Sequence, residues 1–407
     1  MSRKVTDTYC TRWTFHAEIP QDDSMSADDG GTTGMSRVAD GDVRHQLARG
    51  TMLFHAPYPL RGRSTGSGIR PLCMRDAFEE IGYTVLEVQG RGTERKRALG
   101  RVQEFLDDGG MLDFAYFENS TMPTLLTEPH HLPTHPLVDL QLLRMLRRRG
   151  VRSGLFYRDV YWRFPAYVAQ VGRVVAAGTT TLYHAELLAY RRWVDKVYLP
   201  SRAMAPYVPR LRPEQIDELP PGGRIHDVPE TEGPFTVLYV GNISEYYRMH
   251  EFFAAASAVP SARVIFCTPE DSWAAVRDEY DSYLGPNIEV VHRSGDELLG
   301  LFAEADVCAL LVEPAEYRDF AAPVKLFEYI GHGKPVLATR STHAGGVVDQ
   351  LGAGWTVDYG RDAIVKQLSE LVSDPAEVLR MKEKTRTARE ATTWQARARK
   401  VADDLRG

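Results

Sequence analysis

The chain has 407 residues, of which 43% are hydrophobic and 26% charged, and its formal net charge is -6. This composition excludes disorder over most of the chain, and the length points to two or three domains at about 100–200 residues each. No apolar run approaches the roughly 18–20 residues of a membrane-spanning helix. The mild acidity argues against general nucleic-acid binding, which usually needs a basic domain.

Residues 1–48 are predicted to be a polar leader without a packed core. The segment is acidic and rich in glycine and small residues, and it is too poor in apolar side chains to offset its ordering entropy. No secretory signal is expected there. The four cysteines (Cys10, Cys73, Cys267 and Cys308) lack metal-ligand spacing, and we interpret them as reduced thiols of a cytoplasmic protein.

From Thr51 onward, short apolar runs alternate with longer amphipathic stretches, which is typical of βα units around a parallel sheet. Helices are predicted over Ile69–Ile81 and over Leu137–Arg149, which Gly150 closes, and a third helix begins near Ala166. The predicted strands are Thr51–Ala56, Thr84–Val88, Asp113–Phe117, Ser153–Tyr157 and Lys196–Leu199.

The same alternation of apolar runs and amphipathic stretches begins again after a proline- and glycine-rich turn at 219–223. The strands predicted there are Phe235–Val240, Arg263–Thr268, Ile288–His292, Val307–Val312 and Pro335–Ala338. The economical interpretation is an α/β chain with two doubly wound, Rossmann-like domains, residues 49–222 and 223–385, and a helical tail over 386–407 that could cross back. Because such sheets bind ligands outside the carboxyl ends of their strands, we expect the site in the cleft between the domains.

A glycine-rich segment leads from the first strand into the first helix. The backbone N–H groups of Gly66, Ser67 and Gly68, together with the helix N-terminus, could hold an anion. The segment also carries Arg61, Arg63 and Arg70. It is neither a Walker A motif nor a full dinucleotide fingerprint, so a phosphate site and a solvated surface loop both remain open.

A second candidate begins at Pro323, which suits the first position of a helix. Lys325 then lies in the first turn, where the helix dipole disfavours a cation unless an anion binds there too. Lys325 and Glu328 are three residues apart and share an exposed face, while Val324 lies on the opposite, core side. The cation suits a phosphate and the carboxylate suits a diol such as ribose. The alternative is an ordinary surface Lys–Glu pair.

The segment PVKLFEYIGHGKPVLAT resembles the nucleotide-binding segment of GT-B glycosyltransferases, especially the family-four-like retaining enzymes. Further similar segments follow the family's order: DKVYLPSRAM, FTVLYVGNISEYYRMHEF and IEVVHRSGDELLGLFAEADVCALLVEP. The resemblance implies an acceptor-side N-terminal domain and a donor-binding C-terminal domain. It also implies sugar transfer from a UDP- or GDP-type donor to a hydroxyl acceptor (a glycan, a lipid-linked molecule or a small molecule), with retention and with neither metal nor cofactor.

The resemblance further implies roles for individual residues. Glu328 matches the glutamate that binds the nucleotide ribose. The family's first glutamate, of which Glu328 matches the second, falls on Phe320, so Asp319, Glu316 or backbone groups would contact the donor sugar. The remaining donor contacts implied are the turn at Gly241 and Asn242, the diphosphate cations Arg248 and Lys325, and the base contacts His292 and Arg293.

Arg158 and Asp159 follow a predicted strand and therefore lie at the cleft edge of the first sheet. We expect Arg158 to contact acceptor or diphosphate, with Asp159 holding it or polarising a hydroxyl. An Arg–Asp pair that merely fixes the loop is equally compatible with the sequence.

The region from Arg144 to Arg163 is rich in arginine. It suits either a solvated helix end or peripheral contact with anionic lipid at the inner face of the membrane. No nucleic-acid partner is expected, and the oligomeric state stays undefined.

The expected function is therefore that of a transferase in the biosynthesis of polysaccharides or related glycans. Two alternatives stay open. The lost first glutamate suits a catalytically silent GT-B scaffold that partners an active enzyme, and an epimerase or phosphorylase could share the fold. A dehydrogenase is least expected, because no Gly-x-Gly-x-x-Gly follows a strand.

Overall fold

The computed structural model describes residues 49–60, 66–244 and 247–406. The predicted leader over 1–48 lies outside the described residues, as do Arg61 and Arg63. Within the described part, the chain folds into two α/β halves, each built on a sheet whose strands are all parallel.

The N-terminal half has helices on both sides of a sheet with the order β2-β1-β3-β4-β5-β6. Its strands are β1 Gly50–Ala56, β2 Tyr83–Gln89, β3 Ala115–Glu118, β4 Ser153–Phe156, β5 Lys196–Leu199 and β6 Ile216–Glu218. Its helices are α1 Gly66–Glu80, α2 Gly92–Asp107, α3 Val138–Arg148, α4 Pro165–Val171 and α5 Arg173–Trp193.

The C-terminal half repeats the plan with the order β12-β11-β10-β7-β8-β9. Its strands are β7 Thr236–Val240, β8 Arg263–Cys267, β9 Ile288–Val291, β10 Val307–Leu310, β11 Val336–Thr339 and β12 Gly354–Val357. Its helices are α6 His250–Ala258, α7 Glu270–Ala274, α8 Arg277–Tyr280, α9 Glu297–Glu304, α10 Val324–Gly331, α11 His343–Leu351, α12 Arg361–Ser373 and α13 Pro375–Ala388.

The last helix, α14 (Trp394–Arg406), returns to the N-terminal half. Trp394 and Leu405 are buried in the apolar cluster that includes Phe54 of β1 and Phe78 of α1. The chain crosses over at Gly223, whose N–H donates to the Thr392 carbonyl at 2.9 Å. The crossing suggested by the sequence is therefore observed.

The predicted fold class, two doubly wound domains, is confirmed. Every predicted strand exists with ends within two residues of those expected, and Gly150 follows α3 with the expected positive φ of 73°. Neither β6 nor β12 is predicted from the sequence, because both are short edge strands and β6 carries Asp217 and Glu218. Among the described residues, no helix is both long enough and apolar enough to cross a membrane.

Candidate functional site

The carboxyl ends of the two sheets are joined by direct contacts between the halves. The Tyr317 hydroxyl donates to Asp159 Oδ1 at 3.0 Å, and the Tyr207 hydroxyl donates to Glu316 Oε1 at 2.9 Å. Ser201 Oγ donates to the Phe320 carbonyl at 2.7 Å. The segment that precedes α10 thus bridges the cleft from the C-terminal to the N-terminal half.

Lys325 lies beneath the glycine turn that follows β7. It is buried, and its ammonium donates to the Tyr239 hydroxyl at 2.8 Å and lies 4.5 Å from the centroid of that ring. Gly241 has a φ of 153°, and a side chain there would collide with the Lys325 Nζ. The positive φ favours glycine at this turn, and a Cβ there would also force the Lys325 ammonium to move.

Burial lowers the pKa of Lys325 to about 7, with Glu328 opposing that shift and Arg318 adding to it. The expectation of an exposed Lys–Glu face is therefore wrong for Lys325, which is 8% exposed. The reason is tertiary: the lysine packs on Tyr239, 86 residues earlier in the chain.

Glu328 is half-buried one turn further along α10, and its pKa is raised by burial although Lys325 pulls it down. Lys325 donates to Tyr239 rather than to this carboxylate. Burial raises the pKa of the Cys73 thiol in α1 to about 11, and the Glu328 carboxylate adds to that shift. The Glu328 carboxylate is therefore close enough to α1 of the N-terminal half to act electrostatically on its thiol.

The N-termini of two helices flank this gap. Gly66, Ser67 and Gly68 are the first three residues of α1. Pro323 precedes α10 with an extended ψ of 132°, so the helix begins at Val324. The prediction that Pro323 occupies the first helical position is wrong by one residue, and Lys325 is accordingly the second residue of the helix.

The other predicted donor residues line the edge of the second sheet. Asn242 follows Gly241, and its Oδ1 is buried with no hydrogen-bond partner among the described residues. The Arg248 side chain is exposed ahead of α6. Past β9, His292 Nδ1 lies 2.7 Å from the Thr268 carbonyl, and Arg293 forms an exposed ion pair with Glu297 at 3.1 Å.

Arg158 and Asp159 have different partners and do not form an ion pair with each other. Arg158 Nη2 donates to the Tyr58 hydroxyl at 2.9 Å and lies 3.6 Å from Glu118 Oε2. Asp159 accepts from the Tyr161 N–H and from Tyr317, and burial raises its pKa. The described partners of Arg158 lie in the N-terminal half, whereas Asp159 contacts both halves.

Arg70 is not available to a phosphate. Its Nε lies 3.3 Å from Glu118 Oε1, and its guanidinium stacks 3.4 Å from the centroid of Phe156. Glu118 also accepts from the Tyr116 hydroxyl at 2.8 Å. The expected phosphate cation is instead part of a buried ion cluster.

Phe320 occupies the position that the resemblance assigns to a sugar-binding glutamate. It is 2% exposed and packs against Phe164 and Tyr207 of the N-terminal half, at centroid distances of 6.0 and 4.8 Å. The neighbouring Asp319 and Glu316 are both exposed. Of the two carboxylates considered for the donor sugar, Glu316 already accepts a hydrogen bond from the Tyr207 hydroxyl.

Sequence analysis missed three residues of the site: Glu118, Tyr239 and Arg318. Arg318 lies 5.6 Å from the ring of Tyr247 and adds positive charge beside Lys325. Glu118 gave a usable signal, because it is a charged residue directly after an apolar strand. Arg318 and Tyr239 gave none, since their proximity to Lys325 depends on the fold. No group of His, Cys, Asp or Glu suited to a metal ion occurs within the described residues.

Comparison with known proteins agrees with this architecture. Residues 234–374 match the family model described as Glycosyl transferases group 1. No curated protein matches the chain.

Two solved proteins resemble nearly its whole described length. Sucrose-phosphate synthase from Thermosynechococcus elongatus is 15% identical, with 88% of this chain and 98% of that chain covered and a TM-score of 0.58. Anabaena HepE in complex with UDP is 13% identical, with 87% and 99% covered and a TM-score of 0.61. HepE also has a structure in complex with UDP-glucose, at 13% identity, 88% and 99% coverage and a TM-score of 0.59. The resemblance to GT-B glycosyltransferases is confirmed at the level of the fold and of the C-terminal domain.

Proposed function

We propose that this GT-B chain, whose residues 234–374 form a glycosyl transferases group 1 domain, is a glycosyltransferase. It moves a sugar, of hexosyl type, from a nucleotide diphosphate donor to a hydroxyl acceptor. The observation that carries the proposal is Lys325, an ammonium buried under the Gly241 turn at the start of α10, with Glu328 one turn deeper. A buried cation at a helix N-terminus is costly for the free protein and favourable once an anion binds.

The donor would lie with its diphosphate between the Gly241 turn and the start of α10. Lys325 and the free N–H groups of the helix N-terminus would stabilise the negative charge that develops on the leaving diphosphate. Exposed Arg248 supplies a further cation at the mouth of the site. The Glu328 carboxylate is one helical turn away, a spacing that suits the ribose hydroxyls of the same nucleotide.

The base and the sugar would extend in opposite directions from the diphosphate. His292 and Arg293, beyond the end of β9, are the proposed contacts for the base. Asp319, exposed beside Phe320, is the proposed contact for the sugar. The acceptor would approach from the N-terminal half, where Asp159 could polarise its hydroxyl and hold it near the reacting carbon.

The resemblance to family-four-like enzymes supports retention of the anomeric configuration, with attack on the face from which the diphosphate departs. The UDP complexes of HepE support a UDP donor, and GDP is the other candidate. We place the enzyme in the cytoplasm, without a metal or other cofactor. Product analysis by NMR would define the anomer formed.

Nucleotide binding is the first test of the donor site. UDP and GDP should raise the Tm of the wild type, and Glu328→Ala should abolish that rise without changing the Tm of the free protein. The matched control is Glu370→Ala, an exposed glutamate of α12, which should respond to nucleotide like the wild type. An unchanged nucleotide affinity in Glu328→Ala would overturn the assignment.

A silent scaffold is the second candidate, and Phe320 is the observation that favours it. A buried aromatic ring stands where the family has a sugar-binding carboxylate. The scaffold would bind nucleotide but neither hydrolyse nor transfer any nucleotide sugar. Turnover of a single nucleotide sugar by the purified chain decides for the enzyme.

A further inference from the structure

A helical surface beside the cleft exposes apolar side chains to solvent. It consists of α4 and the outer side of α5, and we call it the α4–α5 face. Val174 is 88% exposed, Val175 53%, Leu188 51% and Val168 39%. Single exposed apolar residues are common, but a contiguous set on one surface marks an interaction site.

The outer side of α5 carries no charged side chain over four turns. Its exposed residues recur at helical spacing: Val174, Ala177, Gly178, Thr181, Ala185 and Leu188. The inner side packs on the core through Ala176, Thr179, Tyr183, Leu187 and Tyr190. A helix with one side on the core normally presents charged residues on the other. This helix instead has two sides suited to burial.

The charges around this surface are positive. No Asp or Glu occurs between residues 160 and 185, while Arg163 and Arg173 are exposed at one end of the face and Arg192 at the other. Glu186 points inward, where its Oε1 accepts the Thr124 N–H at 2.5 Å and burial raises its pKa to about 8. The face therefore presents cations without compensating carboxylates of its own.

We propose that the α4–α5 face docks on the surface of a lipid bilayer that contains anionic lipids. Apolar side chains rimmed by arginines are the pattern of helices that lie in the membrane interface, where apolar burial and attraction to anionic headgroups act together. A second copy of the chain is a poorer occupant, because a symmetric dimer would bring like charges together. The net charge of -6 also means that the whole chain has no general attraction to such a bilayer.

This surface differs from the arginine-rich region predicted from the sequence. Arg147 and Arg149, at the end of α3, are paired with Asp195 and Asp107. They precede β4 and so lie at the amino edge of the sheet, opposite the cleft. The run from Arg144 to Arg163 is thus divided between two edges, and only Arg163 borders the α4–α5 face.

The position of the face suits an acceptor held at the membrane. An open groove of about 680 Å³ lies between Arg163 and Arg173 and is lined by Trp162, Phe164 and Val168. Phe164 also contacts Tyr317 of the C-terminal half, at a centroid distance of 5.9 Å. An amphipathic acceptor could therefore reach the cleft from the bilayer. That last step rests on the proposed function, whereas the docking does not.

Vesicle co-sedimentation tests the docking in the absence of donor. The full chain should bind vesicles of phosphatidylcholine with one-third phosphatidylglycerol, bind pure phosphatidylcholine much less, and be released partly by high salt. In the double variant Val174→Asp/Val175→Asp the bound fraction should be at least about tenfold lower, because the aspartates place charge in the apolar contact. Arg173→Ala should weaken binding about fivefold.

Matched controls lie at the other edge of the domain. Met111 is 80% exposed ahead of β3 and Arg152 is exposed ahead of β4, so Met111→Asp and Arg152→Ala should bind like the wild type, with an unchanged Tm for every variant. Glu328→Ala should also bind vesicles normally, which separates docking from donor binding.

Three results would overturn the proposal: no binding of the wild type to anionic vesicles, equal loss in Met111→Asp, or a concentration-dependent dimer that Val174→Asp/Val175→Asp dissociates. The last would identify a second copy as the occupant.

Discussion

The two halves place charge at their facing edges in different ways. In the N-terminal half, Arg70 contacts Glu118 directly and stacks on Phe156, and Arg158 reaches the same carboxylate at 3.6 Å. In the C-terminal half, Lys325 contacts a hydroxyl and aromatic rings, and Glu328 attracts it only from a longer distance. The first cluster is built on a direct ion pair, whereas the second holds its cation through hydroxyl and ring contacts at a helix N-terminus.

This difference distinguishes charges that stabilise the fold from charges that bind a ligand. A buried ion that already has a counter-ion holds the neighbouring helices and strands together. Removing one partner leaves the other charge buried and uncompensated. A buried ammonium whose pKa has fallen to about 7 holds its charge weakly, and an anion restores that charge. The comparison predicts that substitutions at the N-terminal edge lower stability, whereas those at the C-terminal edge lower nucleotide affinity.

The largest effect is expected for Arg70→Met, which leaves Glu118 buried with only the more distant Arg158. The free energy of unfolding should fall by about 3–5 kcal/mol, as measured by urea denaturation. Arg97→Met, at an exposed position on α2, should stay within about 0.5 kcal/mol of the wild type. A loss below about 1 kcal/mol in Arg70→Met would mean that the cluster does not stabilise the fold.

Lys325→Met should act on binding rather than on folding. Losing one charge-assisted contact of about 1.5–3 kcal/mol corresponds to roughly 10–150-fold weaker nucleotide binding by calorimetry. The free protein should be at least as stable as the wild type near pH 6, because the buried charge is gone. Lys366→Met, on the exposed side of α12, is the control. Strong destabilisation of the free protein by Lys325→Met would abolish the contrast between the two edges.

The pH dependence follows from the direction of the Lys325 pKa shift. The folded protein holds this proton less tightly than the unfolded chain, so the stability that depends on Lys325 is lowest below pH 7 and rises from pH 7 towards 10.5.

Nucleotide affinity depends on pH in the opposite direction. A nucleotide sugar, whose phosphates keep a constant charge, should bind with constant affinity below pH 7 and with affinity up to about tenfold lower per pH unit above it. Calorimetry between pH 6 and 8.5 measures this, and the slope should vanish in Lys325→Met. An equal slope in both proteins would show that another group titrates.

The smallest effect is expected at the contact that joins the two edges. Tyr317→Phe removes the hydrogen bond to Asp159 and should lower the free energy of unfolding by about 0.5–1.5 kcal/mol. A double-mutant cycle with Asp159→Asn isolates the pair, and the two changes should be less than additive. Strict additivity would mean that this bond contributes nothing in solution.

Continuous apolar runs made most of the fold predictable. Buried strands such as β7 and β8 are apolar along most of their length and are followed by glycine or proline, so their ends were clear. The polar edge strand β6 could not be predicted in this way. The position of Lys325 was predictable from the helix start, but its burial was not, because it depends on Tyr239 in another strand.

Arg70 shows the same limit in the other half. The glycine-rich segment predicted an anion site with Arg70 as one of its cations, and local sequence supports that reading. Its actual partner, Glu118, is 48 residues further along the chain and comes into contact only once β3 lies beside β1. A charged residue can be assigned a role from sequence only when its counter-ion is local.

The return of α14 to the first half has a consequence for biosynthesis. Trp394, Val401 and Leu405 cover one side of the N-terminal sheet, and a side chain at Gly154 of β4 would collide with Leu405. Domains that are contiguous in sequence can finish folding while the ribosome is still elongating the chain. Here the half made first keeps an apolar surface open until α14 emerges, so it cannot complete its core before the second half has been synthesised.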